Sequence, residues 1–186
     1  MKVRALRPRL AVAVAAVLLV VVALVTLGEP STRPMNRLAG GSGPCAPEAL
    51  PRQQLGSHLI GDRPPPVPYS SMPPTSGWHA SGGFAIAVNP PDQPLSEPRQ
   101  VSVLEAGGVV VAYHELSAVD RDRLETHVRE RFPGRVAVTS YDKLGPGEVA
   151  FAAWGVLQRC DGLDLDVLDA FVTAHGAQRP DTRGAH

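Results

Sequence analysis

The amino-acid sequence predicts an α+β protein: a small mixed or antiparallel sheet with two helices, preceded by one transmembrane helix. Three observations carry that expectation. Residues 10–27, "LAVAVAAVLLVVVALVTL", contain neither charge nor proline. Six later runs are rich in β-branched and aromatic residues and are bounded by Gly, Pro or Asn. Two further stretches place apolar residues at helical spacing, and they do not alternate strictly with the strand-like runs, which favours α+β over a doubly wound sheet.

The apolar run would extend about 27 Å as a helix, close to the hydrocarbon thickness of a bilayer. Lys2, Arg4, Arg7 and Arg9 precede it and Gly28-Glu29-Pro30 follow it, so the positive-inside rule keeps residues 1–9 cytoplasmic and sends the remainder outside. Its apolar stretch is longer than that of a cleaved signal peptide and no A-x-A-like site follows, so an uncleaved signal anchor over residues 10–28 is expected. The expected location is the cell membrane, single-pass, with the C-terminal domain extracytoplasmic.

Residues 29–44, "EPSTRPMNRLAGGSGP", have the composition of a stalk. A folded domain is expected over 45–178 and a disordered tail over 179–186. The chain of 186 residues is 44% hydrophobic, enough for one domain with its own core. Beyond the anchor, fourteen basic residues stand against eighteen acidic ones. That balance provides no basic face for nucleic acid. The expected partners are the membrane, through residues 10–27, and an envelope protein or cell-surface component.

Cys45 and Cys160 are the two cysteines. On the outer side of a membrane a disulfide between them is the simplest reading, with two separate thiols as the alternative. "GDRPPPVPYSSMPP" at 61–74 is expected to run extended across the surface, as a covering layer or as a recognition segment.

The expected strands are "FAIAV" at 84–88, "QVSVL" at 100–104, "GVVVAYH" at 108–114, "RVAVTS" at 135–140, "EVAFAAW" at 148–154 and "VLQRC" at 156–160. Gly107 and Gly108 mark a bulge or tight bend. Ser117 caps the first helix, with Asp120 three residues on and Val119, Leu124, Val128 and Phe132 as its apolar stripe. The second begins near Asp164, buries Leu165, Leu168, Phe171 and Val172, and ends at Gly176 with His175 in its last turn. Tyr113 and Trp154 are expected in the core, with their polar tips hydrogen-bonded.

No Walker loop, G-x-S-x-G, H-E-x-x-H or G-x-G-x-x-G motif occurs. Ser76, three residues before His79, lacks an identifiable acid and oxyanion hole, so catalysis is not expected there. The pieces "PPTSGWH", "LEAGGVVVAY" and "AWG", followed by the terminal "LDAFVTAHG" helix, are more specific. Together, over roughly residues 55–178, they resemble the domain of unknown function 3105 family of bacterial membrane-anchored proteins.

In that family the "VSVLEAGG" position reads H-S-L-E-H-G, and the resemblance implies that those two histidines, that of P-P-x-S-G-x-H and one further upstream could meet. Converging imidazoles suit Cu, Zn or Fe. In this chain Ser102 and Ala106 replace the motif histidines, whereas His79 and Glu105 remain and His58 falls near the upstream position. The residual candidate ligands are thus His58, His79 and Glu105, with His114 as a local substitute.

Two functions follow. One is a non-catalytic binding or structural domain without a cofactor, in which His79 is a turn histidine beside Trp78 and Glu105 caps the glycine bend. The alternative is a metal-binding or redox-accessory domain. A surface hydrolase would need Ser76 or Ser102 paired with a histidine that a carboxylate orients.

Overall fold

The computed structural model describes residues 45–60 and 63–180. The expected cytoplasmic segment, anchor and stalk lie outside these residues, as does most of the tail. No helix among the described residues is long and apolar enough to cross a membrane.

The elements follow in order: β1 (His58–Leu59), β2 (His79–Ala80), α1 (Glu97–Glu105), β3 (Val109–Tyr113), α2 (Ala118–Arg131), β4 (Val136–Ser140), β5 (Val149–Ala153), β6 (Val156–Cys160) and α3 (Leu165–His175). The main sheet has the order β4-β3-β5-β6. β3 and β4 are parallel, as their α2 crossover requires, whereas β5 is antiparallel to both β3 and β6. β1 and β2 form a separate parallel pair. Over the described residues the fold is α+β with three helices and mixed sheets.

Both faces of the main sheet are buried, so its strands read as continuous apolar runs. Val109, Val111 and Tyr113 of β3 join Leu124 and Val128 of α2 and Leu168, Phe171 and Val172 of α3 in one cluster. Val110 and Ala112 project the other way, into a cluster with Val101, Val103 and Leu104 of α1. Tyr69, Phe84, Ile86 and Leu95 pack onto that second cluster from the N-terminal layer.

Four of the six expected strands form as β3 to β6, and the other two do not. "QVSVL" lies inside helix α1, where Gln100 through Leu104 are all buried. A helix wedged between a sheet and a covering layer has little polar face, so its apolar and polar residues imitate strand alternation. The helix signals lie at its ends. Pro98 sits in the first turn, where its missing N–H is harmless, and the Gln100 N–H donates to the Ser96 carbonyl at 2.9 Å.

At the other end Gly107, with φ +83°, donates its N–H to Leu104, and Gly108 donates to Val103, each at 2.9 Å. This is the double closure of a helix by a left-handed glycine. The glycine bend is therefore a helix terminus. "FAIAV" forms no strand and makes a single bridge, Val88 to Val138. Its Phe84 and Ile86 cover the α1 face.

Helix α2 is capped as expected: the Ser117 hydroxyl accepts the Asp120 N–H at 3.0 Å. Val119, however, is exposed, because the buried side is set by Leu124, Val128 and Phe132 at four-residue steps and Val119 lies off that line. Asp164 caps α3 through the N–H groups of Asp166 and Val167, and Gly176 is its C-cap.

Cys45 and Cys160 form a disulfide with an S–S distance of 2.01 Å. Beside it Ala46 donates to Arg159, and Ala49 and Leu157 exchange backbone bonds, so residues 45–49 run along β6. The proline-rich stretch is only partly superficial. Residues 63–72 lie mostly at the surface, but Pro73 through Gly77 are buried. Trp154 is buried and its indole N–H donates to Gln53 Oε1 at 3.3 Å. Tyr113 is buried too, yet its hydroxyl has no hydrogen-bond partner.

Candidate functional site

Two irregular segments and one helix end converge where the small β-pair meets α1. Gly56 allows the approach: a Cβ there would lie 2.1 Å from the backbone carbon of Gly77, so the two chains pass in near contact. The crossing sets β1 and β2 in parallel register, with His58 opposite His79. Register partners in a parallel pair project to the same side, and the two imidazoles meet edge to face with ring centroids 4.5 Å apart.

Helix α1 supplies the third group. The Ser102 hydroxyl lies 2.9 Å from the Ala80 carbonyl, which docks the helix on β2. Glu105, three residues later, is on the same helix face. Its Oε2 lies 2.9 Å from His79 Nε2. The glycine bend is closed by backbone bonds, and the Glu105 carboxylate turns to the histidine instead of capping that bend.

His79 is 4% exposed, and its Nδ1 lies 3.2 Å from the Gly77 carbonyl. A carbonyl only accepts, so Nδ1 is the donor in that contact, and it is Nε2 that faces the carboxylate. That atom is buried and has no hydrogen-bond partner of acceptable direction, although the carboxylate oxygen is close. Two acceptors at this distance repel unless a cation, either a proton or a metal ion, lies between them.

One ligand atom from each of His58, His79 and Glu105 fits within a 4.8 Å span. Ligands bound to one ion at about 2.0–2.2 Å can stand no more than about 4.4 Å apart. The His79–Glu105 pair, at 2.9 Å, already lies within that limit.

The structure thus brings together three of the four sequence candidates. His114 stands apart, at the far end of the five-residue strand β3 from the turn that follows Glu105; its Nδ1 is 2.7 Å from the Leu144 carbonyl. Ser76 Oγ accepts the Gln54 N–H, and Ser102 Oγ is engaged by the Ala80 and Pro98 carbonyls. Neither contact is the serine–histidine pair a hydrolase needs.

Residues 63–186 match the family model described as Protein of unknown function (DUF3105). The chain belongs to this family. No curated protein and no solved structure matches it at a significant level. Within this DUF3105 chain, His79 and Glu105 lie inside the matched region and His58 five residues before it. Ser102 and Ala106, aligned by the resemblance with the motif histidines, sit on the helix turns beside Glu105.

Sequence reasoning missed the role of Gly56. A single glycine in an irregular segment does not disclose which strand it must pass.

Proposed function

We propose that this chain is a single-pass membrane protein whose extracytoplasmic, non-catalytic domain binds one divalent transition metal ion through His58, His79 and Glu105. One observation carries the metal reading: the buried Nε2 of His79 stands 2.9 Å from a carboxylate oxygen with a second imidazole alongside. Two neutral imidazoles and one carboxylate suit Cu, Zn or Fe and leave coordination positions for water or another ligand. The protein residues would hold and orient the ion. The Gly77 carbonyl fixes the tautomer of His79, which is how second-shell partners commonly orient a ligating imidazole. The anchoring part of the reading is supported by the charge-free run 10–27 behind its basic flank and by a disulfide suited to an oxidising compartment.

The test is the metal content of the full chain, purified without a histidine tag and offered Cu, Zn or Fe in turn. Approximately stoichiometric metal that disappears in His79→Ala and falls in Glu105→Gln is expected. Wild-type protein that remains metal-free in all three, with an unchanged fold, would leave a binding or structural domain whose histidines are packing residues.

A further inference from the structure

Large exposed apolar side chains are distributed unevenly over the described residues. Leu50, Leu55, Ile60, Val67 and Met72 all lie in the N-terminal layer, against Val119 alone elsewhere. Leu55 is 97% exposed, Ile60 80% and Leu50 78%. The layer is folded on itself, since Gln54 Nε2 donates to the Pro68 carbonyl, Ser70 N–H to Gln54 Oε1 and Ser70 Oγ to the Arg52 carbonyl. It is tied to the core through the backbone bonds between Ala49 and Leu157 and by the Trp154 indole, which donates to Gln53. These apolar groups are therefore held outward by a built framework.

Charge points the same way. Between Glu48 and Asp92 the sequence has one acidic residue, Asp62, against Arg52 and Arg63, whereas helix α2 is densely charged with both signs. This strip of sequence, with five outward apolar side chains and the cations Arg52 and Arg63, suits the interface of an anionic bilayer. The strip also begins close to the apolar run. Seventeen residues lie between Leu27 and Cys45, a covalent reach of at most about 60 Å, and Leu50 follows five residues later. A tether this short raises the effective concentration of the surface, so a weak contact suffices.

We propose that the strip Leu50–Leu55–Ile60–Val67–Met72 docks the domain on the outer leaflet of the membrane that residues 10–27 are read as crossing. The inference rests on that anchoring reading. Docking puts the exposed His58, between Leu55 and Ile60, at the lipid–water boundary.

The experiment uses the full chain reconstituted in vesicles of phosphatidylcholine and phosphatidylglycerol. An environment-sensitive fluorophore is placed at Leu55→Cys and, in a second protein, at Val119→Cys on the charged helix. Quenching by lipids that carry a spin label near the headgroup is then measured. The probe at 55 should be quenched and the probe at 119 should not. Adding Leu50→Glu and Ile60→Glu should lower the docked-to-undocked ratio at 55 by roughly tenfold or more, since each buried aliphatic side chain contributes about that factor. These positions are exposed, so circular dichroism should stay unchanged. A probe at 55 no more quenched than one at 119, in protein that floats with the vesicles after alkaline carbonate, would overturn docking and leave anchoring intact. Protein that does not float would overturn the anchoring reading and the proposal with it. A concentration-dependent blue shift at 55 without quenching would identify a second copy as the occupant and overturn the lipid assignment.

Discussion

The N-terminal layer, residues 45–95, and the sheet-and-helix core, residues 97–176, are built on different principles. The core satisfies its backbone through a four-stranded ladder and three helices. Among its described residues the layer has only the two-residue strands β1 and β2, and it is held by side-chain-to-backbone bonds such as Ser76–Gln54 and Ser70–Arg52 and by the disulfide at its start. The core contains nearly all the fully buried aliphatic and aromatic residues, whereas the layer contributes five exposed ones. Yet two of the three site residues, His58 and His79, come from the layer. The rigid core supplies a platform and one carboxylate, and the irregular backbone supplies the imidazoles.

Severing the disulfide should change the balance between the two regions most. The bridge spans 115 residues, and a closed loop of that size stabilises by about 4–5 kcal/mol on the chain-entropy account. Cys45→Ser with Cys160→Ser should therefore lower the urea midpoint sharply. Hydrogen exchange should show residues 45–60 losing protection before the sheet does; simultaneous loss would make layer and core one cooperative unit.

Next in size, Phe151→Ala in the doubly covered strand β5 should cost about 3–5 kcal/mol, while Leu55→Ala in the layer should stay within about 0.5 kcal/mol. Equal costs in equilibrium unfolding would erase the energetic distinction between the regions.

Gly56→Ala sharpens the comparison at the site. The added methyl meets the Gly77 backbone, so β1 must move away from β2 at a cost of about 1–3 kcal/mol. Nuclear Overhauser contacts between the His58 and His79 rings should vanish while sheet amides remain protected. Retention of both would show that the layer accommodates the methyl without displacing the histidines.

The smallest effect is expected at Tyr113, whose buried hydroxyl is unpartnered. Tyr113→Phe should raise stability by about 1 kcal/mol, seen as a higher Tm. Burial, the largest cause, raises the Tyr113 phenol above its ordinary value of 10.0; Arg121 opposes this and Glu125 adds to it. Burial also raises Tyr69, with Glu97 adding to the shift, and Tyr141, with its hydrogen bond to Glu97 next in size. For each the folded state holds the proton more tightly than the unfolded one. The resulting contribution is complete below the unfolded value and is lost as pH rises above 10. Wild-type stability should fall in that alkaline range, and the Phe variant should fall less steeply in chemical denaturation at successive pH values.

Much of the core was legible because its strands are β-branched runs with glycine or proline punctuation and its two later helices carry Ser117 and Asp164 caps. Helix α1 was not, since its buried Val-Ser-Val-Leu run removes the contrast that periodicity requires; the Ser96-Glu97-Pro98 start and Gly107-Gly108 end were its readable signals. At the site, the family resemblance named His58, His79 and Glu105, with His114 as a local substitute. The end of β3 to which His114 belongs cannot be judged until the strand and helix are both in place.

By itself the sequence determined the α+β class, four strands, two capped helices and the cysteine pair, which depend on local composition or covalent spacing, and its resemblance to the family supplied the short list of candidate ligand side chains. Tertiary structure alone decided that Gly56 passes Gly77, that His58 and His79 share a register, and that Glu105 turns to His79 while His114 is carried away. Those outcomes depend on which segments touch across tens of residues, and local periodicity contains no information about such contacts.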